Sequence, residues 1–164
     1  MSEEFIYIPP SYPMPHSPGH ERSVVSCFLN DPQTFEDVPH ITEDHFHLPD
    51  TRTAFKFAYD LRGRTNCDIT DVRTLMEEVS QLGLLDKLGG WSNFGDIMNY
   101  PCLPAHLPIH VEKLNQYLAK RLAIAAGKEL VRSAFEDEIG DMIEAAGAPI
   151  TNHQPDGDTN HPRD

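Results

Sequence analysis

Residues 107–146 read LPIHVEKLNQYLAKRLAIAAGKELVRSAFEDEIGDMIEAA, and that stretch decides the fold. Apolar side chains recur at Val111, Leu114, Leu118, Leu122, Ala125, Leu130, Ala134, Phe135, Ile139, Met142, Ile143 and Ala146. Gaps of three, four and occasionally five keep one face of an α-helix apolar. Pro108 fits the first turn, where its missing N–H has no helical partner to lose. Gly127 and Gly140 weaken the run by about 1 kcal/mol each relative to alanine. At 1.5 Å per residue the segment would span roughly 60 Å, more than the width of a small domain. Such a helix cannot bury its whole stripe against its own head, so part of it is expected to meet another chain. The expected interface residues are Val111, Leu114, Leu118, Leu122, Ala125, Leu130 and Phe135.

Toward the N-terminus the chain is a series of shorter helices. Residues 1–14 carry Pro9, Pro10 and Pro13 among aromatic and aliphatic residues, which favours an extended, flexible leader over helix. Ser17-Pro18 is a helix start, serine capping and proline in the first turn, with Glu21 suiting the helix dipole. Val24, Val25, Phe28 and Leu29 form its buried face, and Asn30-Asp31-Pro32 stops it. A short turn is expected from Thr42 to Phe46, capped by Thr42. Pro49-Asp50-Thr51 opens a helix that turns Ala54, Phe55, Ala58 and Leu61 inward and ends at Gly63. Asp68 to Gly83 reads as a further amphipathic helix through Val72, Leu75, Met76, Val79 and Leu82. Leu84, Leu85 and Leu88 add an apolar turn closed by Gly89-Gly90, and Trp91, Phe94, Ile97 and Met98 mark one more helix. The expected head core is Val24, Phe28, Phe55, Val72, Leu75, Val79 and Trp91. Nothing alternates with period two, so the fold class is all-α: a small multi-helix globular head at 15–104, then a long helix at 105–147, the first arm of a helical hairpin. Residues 148–164 are polar and acidic and are expected to be disordered, as is the leader.

Charge restricts the partners. The net charge is −13, of which −7 falls from Glu136 onward, where eight acidic residues face only Arg163. Neither portion has the basic footprint that neutralising phosphates requires, so no direct nucleic-acid binding is expected. Cys27, Cys67 and Cys102 lie far apart, form no C-x-x-C pair and read as free thiols of a cytoplasmic protein. No basic segment followed by an apolar core marks a signal peptide, and no apolar run approaches the ~18 residues of a membrane span.

Three pieces of sequence resemble one family in order and spacing. Pro15-His16-Ser17 with Glu21 and Ser23-Val24-Val25 resembles the PHS-x-EAE-x-SVLG opening of the N-terminal domain of the DnaB-type replicative DNA helicase. Leu85-Asp86-Lys87-Leu88-Gly89-Gly90-Trp91 resembles its L-D-x-x-GG-aromatic signature. The long helix with Tyr117, Lys120-Arg121 and Leu130 is similar to the start of the family's helical hairpin. The resemblance spans roughly residues 15–146 and rests on Pro15, His16, Ser17, Glu21, Asp86, Gly89 and Gly90. It departs at Ser26-Cys27-Phe28, which replaces the family's glycine-rich end of the first helix. It departs again after Thr151, where a polar tail stands in place of the hairpin's second arm, and no linker or ATPase domain follows. The expectation is either a piece of a helicase or a free-standing relative.

The resemblance implies a non-catalytic role in DNA replication. It implies self-association as a dimer or higher oligomer in the collar of a hexamer, with a docking face for primase or a helicase loader within the primosome. A free-standing regulator that binds a helicase or primase is the alternative. ATP and magnesium belong to the ATPase domain, so no cofactor is expected here. The one approach to a phosphate-binding G-x-x-x-x-G-K-[ST] loop, at Gly127-Lys128, has Leu122 at the first glycine position and Glu129 for the hydroxyl residue. His106 and His110, four apart, and His40, His45 and His47 beside Glu43 and Asp44 could in principle hold a metal. The His40–His47 loop therefore carries the remaining alternative, a metal-dependent enzyme. Surface or capping histidines are the expected reading of both groups. The carboxylates of Glu77-Glu78 and Glu136-Asp137-Glu138 read as solvated helix faces. Lys113, Lys120, Arg121, Lys128 and Arg132 read as partners in helical salt bridges.

Overall fold

The computed structural model describes residues 13–63 and 71–136, and every regular element among them is helical. Six α-helices run in order: α1 Pro18–Asn30, α2 Thr34–Asp37, α3 Pro49–Arg62, α4 Val72–Gln81, α5 Gly90–Met98 and α6 Leu107–Glu136. Short 3-10 turns at Glu43–His45 and Pro104–His106 precede α3 and α6. The described residues up to Arg121 belong to one compact unit and those from Leu122 to a second. The leader to residue 12, Asp68, and the segment from Asp137, with Ile139, Met142, Ile143, Ala146 and the tail, lie outside the described residues.

Side chains cap the starts of α1 and α4. Ser17 accepts from the His20 N–H at 3.5 Å, and Pro18 occupies the first turn of α1. The predicted start of α4 moves from Asp68 to Asp71, whose carboxylate accepts from the Arg73 and Thr74 N–H groups and the Thr74 hydroxyl. That carboxylate is held below its usual range, first by the Thr74 hydroxyl. The four residues of α2 went unpredicted, because Asn30-Asp31-Pro32 signals a stop and nothing after it is long enough to show a period.

The head packs around aromatic rings from three elements. Phe28 of α1 stacks on Phe35 of α2 with centroids 4.0 Å apart, and Phe46 stacks on Phe55 of α3 at 4.7 Å. Such contacts contribute roughly 0.5–1.5 kcal/mol each beyond simple burial. Val24, Phe28, Phe55, Leu75 and Val79 all lie in this core. Two expected core residues do not. Val72 is 53% exposed because it is the first residue of α4, where neighbours no longer cover the face that Leu75 and Val79 bury. Trp91 is 38% exposed because α5 buries Phe94 and Ile97, and Trp91 stands roughly 90° around the helix from their midpoint.

The entry to α5 depends on glycine. Gly89 has φ +82°, and a Cβ there would lie 2.7 Å from Nδ2 of Asn93. That amide is already engaged, donating to the Leu88 carbonyl at 2.6 Å and to Asp50 Oδ2 at 2.9 Å. Asn93 Oδ1 accepts from Arg22 at 3.2 Å, so one side chain ties α5 to both α1 and α3.

Candidate functional site

Pro15, His16 and Glu21 meet where α1, the start of α3 and α6 converge, whereas Gly89 and Gly90 stand at the entry to α5. Glu21 is buried, and its Oε1 accepts from the Leu48 N–H at 3.1 Å and the Thr51 hydroxyl at 2.8 Å. A carboxyl on α1 thereby fixes the first turn of α3. Arg121 of α6 is also buried, and donates to the Pro15 carbonyl at 2.9 Å and the Asp44 carbonyl at 2.8 Å. Burial lowers the Arg121 pKa, while the Glu21 charge opposes the shift. Arg121 was expected in helical salt bridges. Instead it clamps the backbone, because its guanidinium faces carbonyls rather than carboxylates. Arg132 does follow the expected pattern, pairing with Glu129 and Glu136 on the surface.

Histidines complete the junction. Thr42 N–H donates to His45 Nδ1 at 3.0 Å, which leaves the proton on Nε2 to donate to Asn115 Oδ1 at 2.7 Å. Both nitrogens of the buried His45 are thus occupied by protein, and it serves as a capping residue tied to α6. The metal-enzyme reading of the His40–His47 loop fails on that geometry. Among the described residues, no three histidine, cysteine or acidic side chains are grouped to hold an ion. His47 instead packs its ring on His16 at 4.7 Å, and His110 Nδ1 lies 2.9 Å from His20 Nδ1.

A 2.9 Å contact between two ring nitrogens accommodates one proton, and a second would set two N–H groups head to head. His110 is held below its ordinary 6.5 by burial, then by His20 and His106. His47 is held low by burial, then by His16 and Arg121, with Glu21 opposing. For a depressed histidine the unfolded chain binds the proton more readily. The associated stability is present above the unfolded pKa and declines as pH falls through it toward the folded value. The melting temperature should therefore fall when pH is lowered from about 7.5 to about 5.5. Replacing His110 by Gln should flatten that fall, and an unchanged slope would remove the pair as its source.

The long helix divides differently from the expected stripe. Leu107 and Leu114 are core residues of the head, Leu114 only 1% exposed, and Val111 packs against them. Leu114 is therefore not available to another chain, a correction to its assignment as an interface residue, and Val111 is partly covered by the head. Leu118 and Leu130 are half-buried, and Ala125 is exposed. Leu122 is 61% and Phe135 86% exposed, and Val131 is exposed as well. At about 100° per residue, Leu118, Leu122 and Ala125 fall within about 80° of Leu114 in one sense around α6, and Phe135 and Val131 about 60° and about 100° in the other. The expected seam is covered in its first turns and exposed at Leu122, Val131 and Phe135. Among the described residues, no helix is long and apolar enough to cross a membrane.

With the geometry in hand, the comparisons fix what kind of domain this is. Residues 13–116 match the DnaB-like helicase N terminal domain. The fold is similar to that in the crystal structure of the N-terminal domain of DnaB helicase from Mycobacterium tuberculosis. The TM-score is 0.72 at 20% identity, over 82% of this chain and 95% of that one. None of the curated proteins matches the chain in sequence. The class is an all-helical, non-catalytic domain of a replicative helicase. The chain belongs to the DnaB-like helicase N-terminal domain family.

Proposed function

We propose that this chain is an assembly and docking domain, self-associating as a dimer or higher oligomer through α6 and presenting a surface to primase or a helicase loader. The observation that carries the reading is the exposure of Leu122, Val131 and Phe135 on a helix whose first turns are core. Large apolar side chains left in water on one element are the usual mark of a protein contact. The net charge of −13 argues against phosphate backbones as the partner. The proposed organisation is a proline-rich leader at 1–14, a head at 15–104, an arm at 105–147 whose first turns pack into the head's core, and a polar acidic tail at 148–164. ATP and magnesium are work for an ATPase domain, and the site of action is the cytoplasm, where replication proceeds.

Sedimentation velocity across a concentration series tests this reading. The chain should show concentration-dependent association. Leu122→Glu combined with Phe135→Glu should weaken it by about tenfold or more, since 1.4 kcal/mol already accounts for one decade. Helix content should stay near that of the parent. A monomer at every concentration, or association indifferent to both charges, would remove α6 as the contact.

A further inference from the structure

The departure from the family pattern at Ser26-Cys27-Phe28 has a structural consequence. Ser26 donates its hydroxyl to the carbonyls of Met98 and Tyr100, at 3.0 and 2.8 Å. Ser23 donates to the Pro101 carbonyl at 3.1 Å, and Asn30 Nδ2 to Met98 at 2.8 Å. Three polar side chains on one face of α1 thus grip the connection between α5 and α6. That grip holds the next residue of the connection, Cys102, beside the cavity that Cys27 of α1 also lines. Both line a cavity of about 370 Å³ that opens to solvent. Cys27 is buried and Cys102 half-buried, so a small molecule entering the cavity meets Cys102 first.

We propose that Cys27 and Cys102 form a dithiol site that a low-molecular-weight disulfide oxidises to an intramolecular bond tying α1 to the α5–α6 connection. The Cys102 thiolate attacks one sulfur of the small disulfide. A bond forms between them, the small disulfide's own S–S bond breaks, and the departing thiolate takes up a proton. Cys27 then loses its proton to water and attacks the Cys102 sulfur, releasing the second small thiol. Two protein thiols are oxidised and one small disulfide is reduced to two thiols. Burial, reinforced by the neighbouring Cys102, pushes the Cys27 thiol up to about 12, so the second step is the slow one. Conversion of the mixed disulfide should quicken close to tenfold per pH unit between about pH 7 and about pH 9.

The test is the full chain carrying Cys67→Ser, incubated with oxidised glutathione and followed by intact mass and peptide mapping without reductant. The expected product lacks the mass of two hydrogens and joins the Cys27 and Cys102 peptides. A transient glutathione adduct on Cys102 should precede it. Adding Cys27→Ser should trap that adduct, and adding Cys102→Ser at its half-buried position should abolish both products. An adduct that persists in the presence of Cys27, or thiols that stay unreacted, would overturn the proposal. If Cys27→Ser disturbs folding, the Cys102→Ser variant and the pH dependence still decide it.

Discussion

Leu114→Ala should lower the unfolding free energy of the domain by about 2–5 kcal/mol, the range for emptying a leucine site in a packed core. Leu122→Ala, two turns further along the same helix and the same face, should change it by no more than about 0.5 kcal/mol. Leu114 is 1% exposed beside Leu107 and Val111, whereas Leu122 stands 61% in water. The contrast matters because the sequence presents the two as equivalent members of one stripe. Urea titration of both variants at a concentration below any self-association checks it. Equal losses would mean that the head does not hold the first turns of α6 as described.

Glu21→Ala is expected to cost roughly 2–4 kcal/mol, through the buried donors it strands rather than the contact it deletes. The Leu48 N–H and the Thr51 hydroxyl would lose their shared acceptor inside a water-poor junction. Arg121 would lose the larger of the two nearby charges that favour its ionised form, leaving Asp44 and the hydrogen bonds to the Pro15 and Asp44 carbonyls. Glu21→Gln keeps an acceptor at Oε1 and should recover a good part of the loss. Thermal melts of the two variants separate these contributions. If alanine and glutamine were equally harmless, Glu21 would not fix the start of α3.

Glu21 is one of the residues that carry the family resemblance, as are Pro15 and Gly89. In the structure they are internal architecture. Glu21 sets one helix start and Gly89 another. The carbonyl of Pro15 is where α6 is anchored, through Arg121. Such residues identify a fold without forming a binding surface, and any docking role must come from side chains that packing leaves over, such as Leu122 and Phe135.

What the chain determines locally is legible in its sequence because the causes are local. Ser17-Pro18 and Pro49 start helices with their own atoms, and a period of three and four residues fixes α1, α3, α5 and the start of α6 through contacts within a few turns. The order of motifs, and with it the family, is likewise a linear property. Tertiary structure alone decided which apolar residues are covered. Burial at Leu114 and exposure at Trp91, Leu122 and Phe135 depend on which elements arrive opposite them. The same holds for Cys27 and Cys102, seventy-five residues apart in sequence yet paired by the Ser23, Ser26 and Asn30 grip on one connection. Spacing records distance along the chain, and the free energy of packing depends on distance through space.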